Sequence, residues 1–453
     1  MESEVKMYTY ERHSRESGKA KWIPAFAGMT ALLVGATQAA EPSTQLAQSV
    51  LPDVTAWRRD FHQHPELSNR ETRTAKIVAD ELKKLGYTVR TGIAHNGVTG
   101  VLKGGKPGRK LAIRADMDAL PVTEQVDLPF ASKATGEYLG KTVGIMHACG
   151  HDAHTAMLLG IAEVFAKMKN DLPGEVMLVF QPAEEGVPPG ETGGAPGMVH
   201  DGVFKDFKPD AVFGMHVVSA YNVGTVGLRP AGAMASSDTF RMTVHGKQSH
   251  GAVPWKGIDP IVTAAEIVTS AQTIVSRQLD INKAPAVVTF GTFNGGSRFN
   301  IVPDNVELAG TIRTFDEGMR KQIIASLTNI AEHVAAANGA TVEVKMPQSD
   351  EERNPVNYND PALTARVRAS LEKALGKEHV IEAERWTASE DFPYFPIGAK
   401  APSVYFFVGA TPAGQDAAAA PSNHSPKFFL DEAALPVGVA AMLQVSLDFL
   451  SGV

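Results

Sequence analysis

Residues 176–180 (VMLVF) form an unbroken apolar run, and the chain passes straight from it into Gln181-Pro182-Ala183-Glu184-Glu185. Three further runs share this character. Residues 110–114 (KLAIR) lead into Ala115-Asp116-Met117-Asp118, residues 211–215 (AVFGM) into His216, and residues 404–408 (VYFFV) into the loop 409–421. Strands with one wet face alternate apolar and polar side chains, whereas continuous apolar runs belong to strands buried on both faces beneath helices. Helical spacing over 53–61, 72–85 and 155–168 supplies such helices, with Gly86 standing where a C-terminal cap belongs.

Between residues 231 and 344 the texture changes. Runs 238–244 (DTFRMTV), 286–290 (AVVTF) and 307–314 (ELAGTIRT) alternate, helical stretches cover 260–278 and 317–337, and 342–345 closes the series as a strand. That order, β-α-β-β-α-β, is the split βαβ plan of a small α+β domain. The fold expected is therefore α/β: a catalytic domain with a mixed, mostly parallel sheet flanked by helices, plus an inserted ferredoxin-like α+β domain. Its divisions are a leader (1–40), the catalytic domain (41–230 and 347–453) and the insertion (231–346), the chain returning through the charged, proline-rich stretch 347–355.

Composition narrows the function. The chain has 453 residues, 43% hydrophobic and 21% charged, which excludes wholesale disorder. A net charge of −7 gives no basic footprint for nucleic acid or an anionic membrane. The single cysteine, Cys149, excludes an intramolecular disulfide. Lys19 and Lys21, the apolar stretch 22–36 and the small residues around Ala39 read as a secretory signal cut after Ala39. The mature protein is then expected in the periplasm or outside the cell; a cytoplasmic leader is the alternative. No later stretch has 18 uninterrupted apolar residues, so no membrane partner is expected.

In an open α/β sheet, ligands bind beyond the carboxyl ends of the strands, where these runs deliver carboxylates and a histidine. Residues 147–154 (HACGHDAH) add thiol, imidazole and carboxylate donors suited to zinc and its neighbours. A cysteine beside histidine also fits a thiol nucleophile. The Glu184-Glu185 pair favours metal, because adjacent carboxylates point differently and one can bind an ion while the other acts as base. His424, in 423–426 (NHSP), is a natural further ligand. His62 and His64 read as structural, at a helix end and turn.

Residues 114–121 (RADMDALP), 146–154 (MHACGHDAH), 181–185 (QPAEE), 214–216 (GMH) and 423–426 together resemble the M20 metallopeptidases, over roughly residues 50–450. The branch that looks most similar comprises amidohydrolases of N-acyl amino acids, hippurate and auxin–amino-acid conjugates. The resemblance implies two divalent ions held by Cys149, His151, Glu185, His216 and His424, with Glu184 as general base towards metal-activated water. Zinc or manganese is expected, with cobalt and nickel as options. The wider superfamily has His-x-Asp where this chain has Asp116-x-Asp118, so contact between Asp116 and metal stays open, and Asp118 is expected to orient a ligand. In the insertion, His250, within 246–254 (GKQSHGAVP), matches a histidine that reaches a partner subunit's site and steadies the oxyanion. Asn300 and Arg313 match positions that hold the substrate carboxylate, for which a guanidinium fork is apt. The implied protein is a homodimer, paired through the inserted domain, that hydrolyses small N-acyl-L-amino acids. Alternatives are a dipeptidase or aminoacyl carboxypeptidase of the same family and, more remotely, a non-catalytic peptide-binding protein.

Overall fold

The apolar runs become neighbours in one eight-stranded sheet of the computed structural model, which describes residues 42–347 and 353–453. Its order is Thr88–Ile93, Gly97–Lys103, Pro173–Gln181, Lys106–Asp116, Ala211–Asn222, Ser403–Thr411, Val226–Leu228 and Val380–Glu382. The four central strands run parallel, and an antiparallel neighbour, Gly97–Lys103 or Val226–Leu228, flanks them on each side. The signal segment expected over residues 22–39 lies outside the described residues, as does most of the return stretch 347–355.

Alternation along each central strand feeds two apolar layers. Val404, Phe406 and Val408 face one, while Tyr405 and Phe407 face the other. The first layer is roofed by helices Pro42–Gln63, His151–Lys167 and Ala434–Ser451, the second by the short helices Gly194–His200 and Tyr394–Ala399. Phe165, Phe180 and Phe213 are wholly buried, and side chains of this kind contribute about 1.5–3 kcal/mol each.

Three elements depart from expectation. The first helix runs Pro42–Gln63, not 53–61: it continues through Pro52 because its N-terminal half buries Ala47 and Val50. The third begins at His151, not 155, so His151 belongs to its first turn. Ala434–Ser451 was not foreseen. It is apolar nearly all round, the pattern of a core helix rather than an amphipathic one. Among the described residues it is the one helix long and apolar enough to cross a membrane, yet 72% of that stretch is buried.

The second sheet places Ala286–Gly295, Asn305–Thr314, Ser237–His245 and Thr341–Lys345 side by side, all antiparallel. Helices Pro260–Thr273 and Glu317–Ala337 pack on it; each starts at an aspartate, Asp259 or Asp316, whose carboxylate accepts first-turn N–H groups. Phe240, Met242 and Val244 point into a separate core with Ile267, Ile312 and Leu327, while the intervening residues stay wetter. This is the ferredoxin-like insertion expected from the alternating runs.

Candidate metal centre

Lys106–Asp116 and Pro173–Gln181 end on the same rim of the large sheet, side by side at Asp116 and Gln181. Ala211–Asn222 continues past them. Its pairing with Lys106–Asp116 stops at Gly214, so His216 lies within the strand, not beyond it, where that neighbour has ended. Cys149 arrives on a loop that Gly150 turns into the His151–Lys167 helix. Gly150 has φ +98°, and a Cβ there would lie 2.2 Å from a Val217 methyl, so glycine is required.

The donors then converge. Cys149 Sγ lies 3.3 Å from His216 Nε2 and 3.3 Å from His424 Nε2, and His424 Nε2 lies 3.1 Å from Glu185 Oε1. His151 Nε2 faces Glu185 at 3.8 Å and Glu184 at 3.9 Å. Five groups of mutually close donor atoms emerge among the described residues; two of them, Cys149–His151–His216 and Cys149–Glu185–His424, share the thiol, and His151–Glu184–Glu185 bridges the two. All five expected ligands are in them.

Two of the three imidazoles are aimed by their second nitrogen. His216 Nδ1 donates to the Val217 carbonyl at 2.7 Å, and His151 Nδ1 donates to the Asp118 carbonyl at 2.9 Å. Nε2 of each then faces the cluster, the usual arrangement behind a metal-binding histidine; against the effect of burial, Asp116 and Asp118 push the His151 imidazole up to about 10. Burial, followed by the neighbouring His154, holds His216 well below the usual imidazole range, so it stays neutral. Asp118 also accepts from the Ser68 hydroxyl at 2.7 Å and the Glu185 N–H at 3.0 Å. His424 is held from behind by Asn423, whose amide donates to the carbonyls of Cys149 and Val217, both at 3.1 Å.

The donor set fits divalent cations. His151 Nε2 and Glu185 Oε1 are buried without a hydrogen-bond partner among the described residues. Burial, reinforced by Glu185, Glu184 and Asp116, pushes the Cys149 thiol well up, which disfavours a free thiolate nucleophile but not a thiolate compensated by cations. Burial, then Glu390, Glu185 and Asp391, also holds the Glu184 carboxyl well above the usual range.

Asp116 also brings an oxygen close to donor atoms of His151 and of Glu184. It pairs with Arg114 at 2.7 Å and with His154 Nδ1 at 2.6 Å, and stands 3.6 Å from His151 Nε2. The buried Arg114 guanidinium is also bound by Glu390 at 2.8 Å and Gln181 at 2.7 Å. Sequence reasoning missed Arg114, Glu390, Asp391 and Asn423 in this support; only Arg114 and Asn423 lay inside the quoted motifs. His62 is buried between Asp152 at 2.8 Å and Glu124 at 3.1 Å, joining helices, while His64 is exposed.

A cleft of about 1040 Å³ opens over the cluster. Trp386, Tyr221, Met234, Phe407 and Val218 form its apolar wall, and Arg313 enters from the insertion. Arg313 Nη1 is buried without a partner among the described residues. His250 and Asn300 do not line this cleft: exposed His250 pairs with Ile301 across a two-residue ladder beside Asn300.

A mixed sheet with an α+β insertion, bearing a thiol, imidazole and carboxylate cluster at its strand ends, defines a metal-dependent hydrolase. The chain belongs to peptidase family M20/M25/M40, whose profile matches residues 112–448. Thermostable carboxypeptidase 1 of Saccharolobus solfataricus is 40% identical over 86% of this chain and 94% of its own length. The N-acyl-L-amino acid amidohydrolase of Geobacillus stearothermophilus is 40% identical over 71% of this chain and 82% of its own. Among solved structures, a dinuclear metal-binding M20 peptidase from Bacillus subtilis is 32% identical, with a TM-score of 0.72 over 89% of this chain and 99% of that one.

Proposed function

We propose that this enzyme hydrolyses the amide bond of N-acyl-L-amino acids, and that the sharing of Cys149 between two ligand triads beside Glu184 is the observation that carries the reading. Cys149, His151, Glu185, His216 and His424 would hold two divalent ions, zinc or manganese by their donor chemistry. Such ions supply acidity to a water and polarise an acyl carbonyl. Glu184, with Glu390 and Asp391 behind it, accepts the water's proton and delivers it to the leaving nitrogen. Arg313, with a free donor facing the cleft, binds the substrate α-carboxylate, and the apolar wall receives the acyl group.

His250 and Asn300 complete the site from a second copy. Ala286–Gly295 is an edge strand of the small sheet with Val287 and Phe293 exposed, and Trp255 and Phe299 near His250 and Asn300 are exposed as well. An unpaired edge and apolar side chains are what a two-fold pairing would cover. Export through the segment 22–39 belongs to the same proposal; N-terminal sequencing of native protein beginning near Ala40 supports it, and residues before 30 overturn it.

Similarity to a carboxypeptidase favours a second reading, cleavage of short peptides at the same centre. A panel of N-acetyl and N-benzoyl amino acids, dipeptides and their carboxyl-amidated forms separates the two. The proposal expects N-acyl amino acids to be hydrolysed best and amidated forms at least about tenfold more slowly, through loss of the Arg313 partner. Equal rates on amidated substrates would remove Arg313 from its role, and preference for dipeptides would select the second reading.

A further inference from the structure

Glu71 is fully buried at the start of the Thr72–Lys84 helix, a place where an acidic side chain usually caps first-turn N–H groups. It does not. Glu66 caps that helix instead, accepting from the N–H groups of Arg73 at 2.9 Å and Thr74 at 2.8 Å. Glu71 Oε1 reaches 112 residues along the chain to the Ala183 N–H at 2.9 Å, and also accepts from the Asn69 N–H at 2.9 Å. Its Oε2 accepts from the Asn96 amide at 3.1 Å.

Ala183 is the residue before Glu184 and Glu185, and it holds φ +52°, a left-handed conformation uncommon for alanine. On the other side of the pair, the Glu185 N–H is held by Asp118. The turn that presents both glutamates is thus gripped by one acidic side chain at each end. Burial and the Asp118 charge push the Glu71 carboxyl up to about 8, so this grip is retained against an electrostatic penalty that an apolar side chain would avoid.

We propose that Glu71 is a positioning residue for the amide hydrolysis described above, and the inference rests on that reading: by holding the Ala183 N–H it fixes the direction in which Glu184 and Glu185 leave the chain. Glu71→Ala frees the turn while leaving every metal donor in place. Removing an outer partner of a metal site typically costs about 10–100-fold in affinity or activity. The expected result is a kcat lower by about 100-fold, KM changed less than about threefold, and about tenfold weaker zinc binding at one of two sites in equilibrium dialysis. Glu71→Gln keeps a carbonyl oxygen for both backbone donors and should restore kcat to within about tenfold of wild type. Asn96→Ala removes a partner of Glu71 without touching the turn, so it should change kcat by less than about threefold whatever it does to stability.

Glu71→Asp, shorter by one methylene, carries the test if Glu71→Ala does not fold, with a kcat loss of at least about tenfold expected. A folded Glu71→Ala or Glu71→Asp with kcat within about threefold of wild type overturns the proposal, as does an equal loss in Asn96→Ala. Zinc binding separates the two claims: a wild-type protein that takes up zinc but cleaves no N-acyl amino acid refutes the functional reading, and the dialysis then decides Glu71 alone.

Discussion

Cys149 is the donor common to the Cys149–His151–His216 and Cys149–Glu185–His424 groups. Cys149→Ser is therefore expected to weaken both ions, and His424→Ala only one, each by at least about tenfold in a chelator competition. Equal two-site losses in both variants would contradict a shared thiol. Glu184 stands next to a donor without being needed as one. Glu184→Gln should keep both ions and lower kcat by about 10²–10⁴-fold, since the amide cannot accept the proton. Near-normal turnover in the metal-loaded variant would remove Glu184 as base. These residues were legible because their chemistry is concentrated: Cys149 and His151 are two positions apart, and Glu184 and Glu185 are adjacent after a buried strand. Arg114 and Glu390 are 276 positions apart, and a lone arginine in an apolar run carries no mark of the carboxylate that meets it.

Helix contacts bring a buried ionic cluster to the foot of the metal centre. Arg58 and His62, on Pro42–Gln63, both bind Asp152 in the first turn of His151–Lys167, at 3.1 and 2.8 Å. Burial alone would lower the His62 pKa, but Asp152 and Glu124 outweigh it and raise it, with Arg58 opposing. A raised pKa in the folded state means that the stability from this pair is fully present below the ordinary imidazole range and is lost as pH rises through the folded value. The Tm gap between metal-free wild type and His62→Gln should therefore shrink as pH increases from 6.5. A gap that stays constant or widens would show that His62 contributes packing only. The same scale shows why element boundaries escaped the sequence. A proline at 52 reads as a helix stop, yet burial of Val50 and Ala47 carries the helix through it, and Ala434–Ser451 lacks the polar face by which helices are recognised.

Across the whole molecule, His250 and Asn300 lie outside the cleft that holds the metal donors, whereas Arg313 of the same insertion lines it. Fold class and insertion were legible from the switch between continuous and alternating apolar runs; periodicity carries no information on contacts between copies. If a two-fold pairing through the insertion carries His250 into its neighbour's site, His250→Ala and Glu184→Gln are each inactive alone but complement when subunits exchange. Random pairing of equal amounts makes half of the dimers mixed, each with one intact site, so activity should approach about a quarter of wild type. No recovery despite exchange verified by mass would confine His250 to its own subunit.

A hydrolytic centre built on two ions that share Cys149 can be followed by metal titration. Metal-stripped protein is given zinc or manganese in measured steps, while bound metal and hydrolysis of an N-acyl amino acid are followed together. Turnover should be absent without metal and saturate at about two bound ions per chain, with Glu184→Gln binding the same number and remaining inactive. Turnover by the metal-free chain, or full activity with a single bound ion, would contradict a two-ion centre.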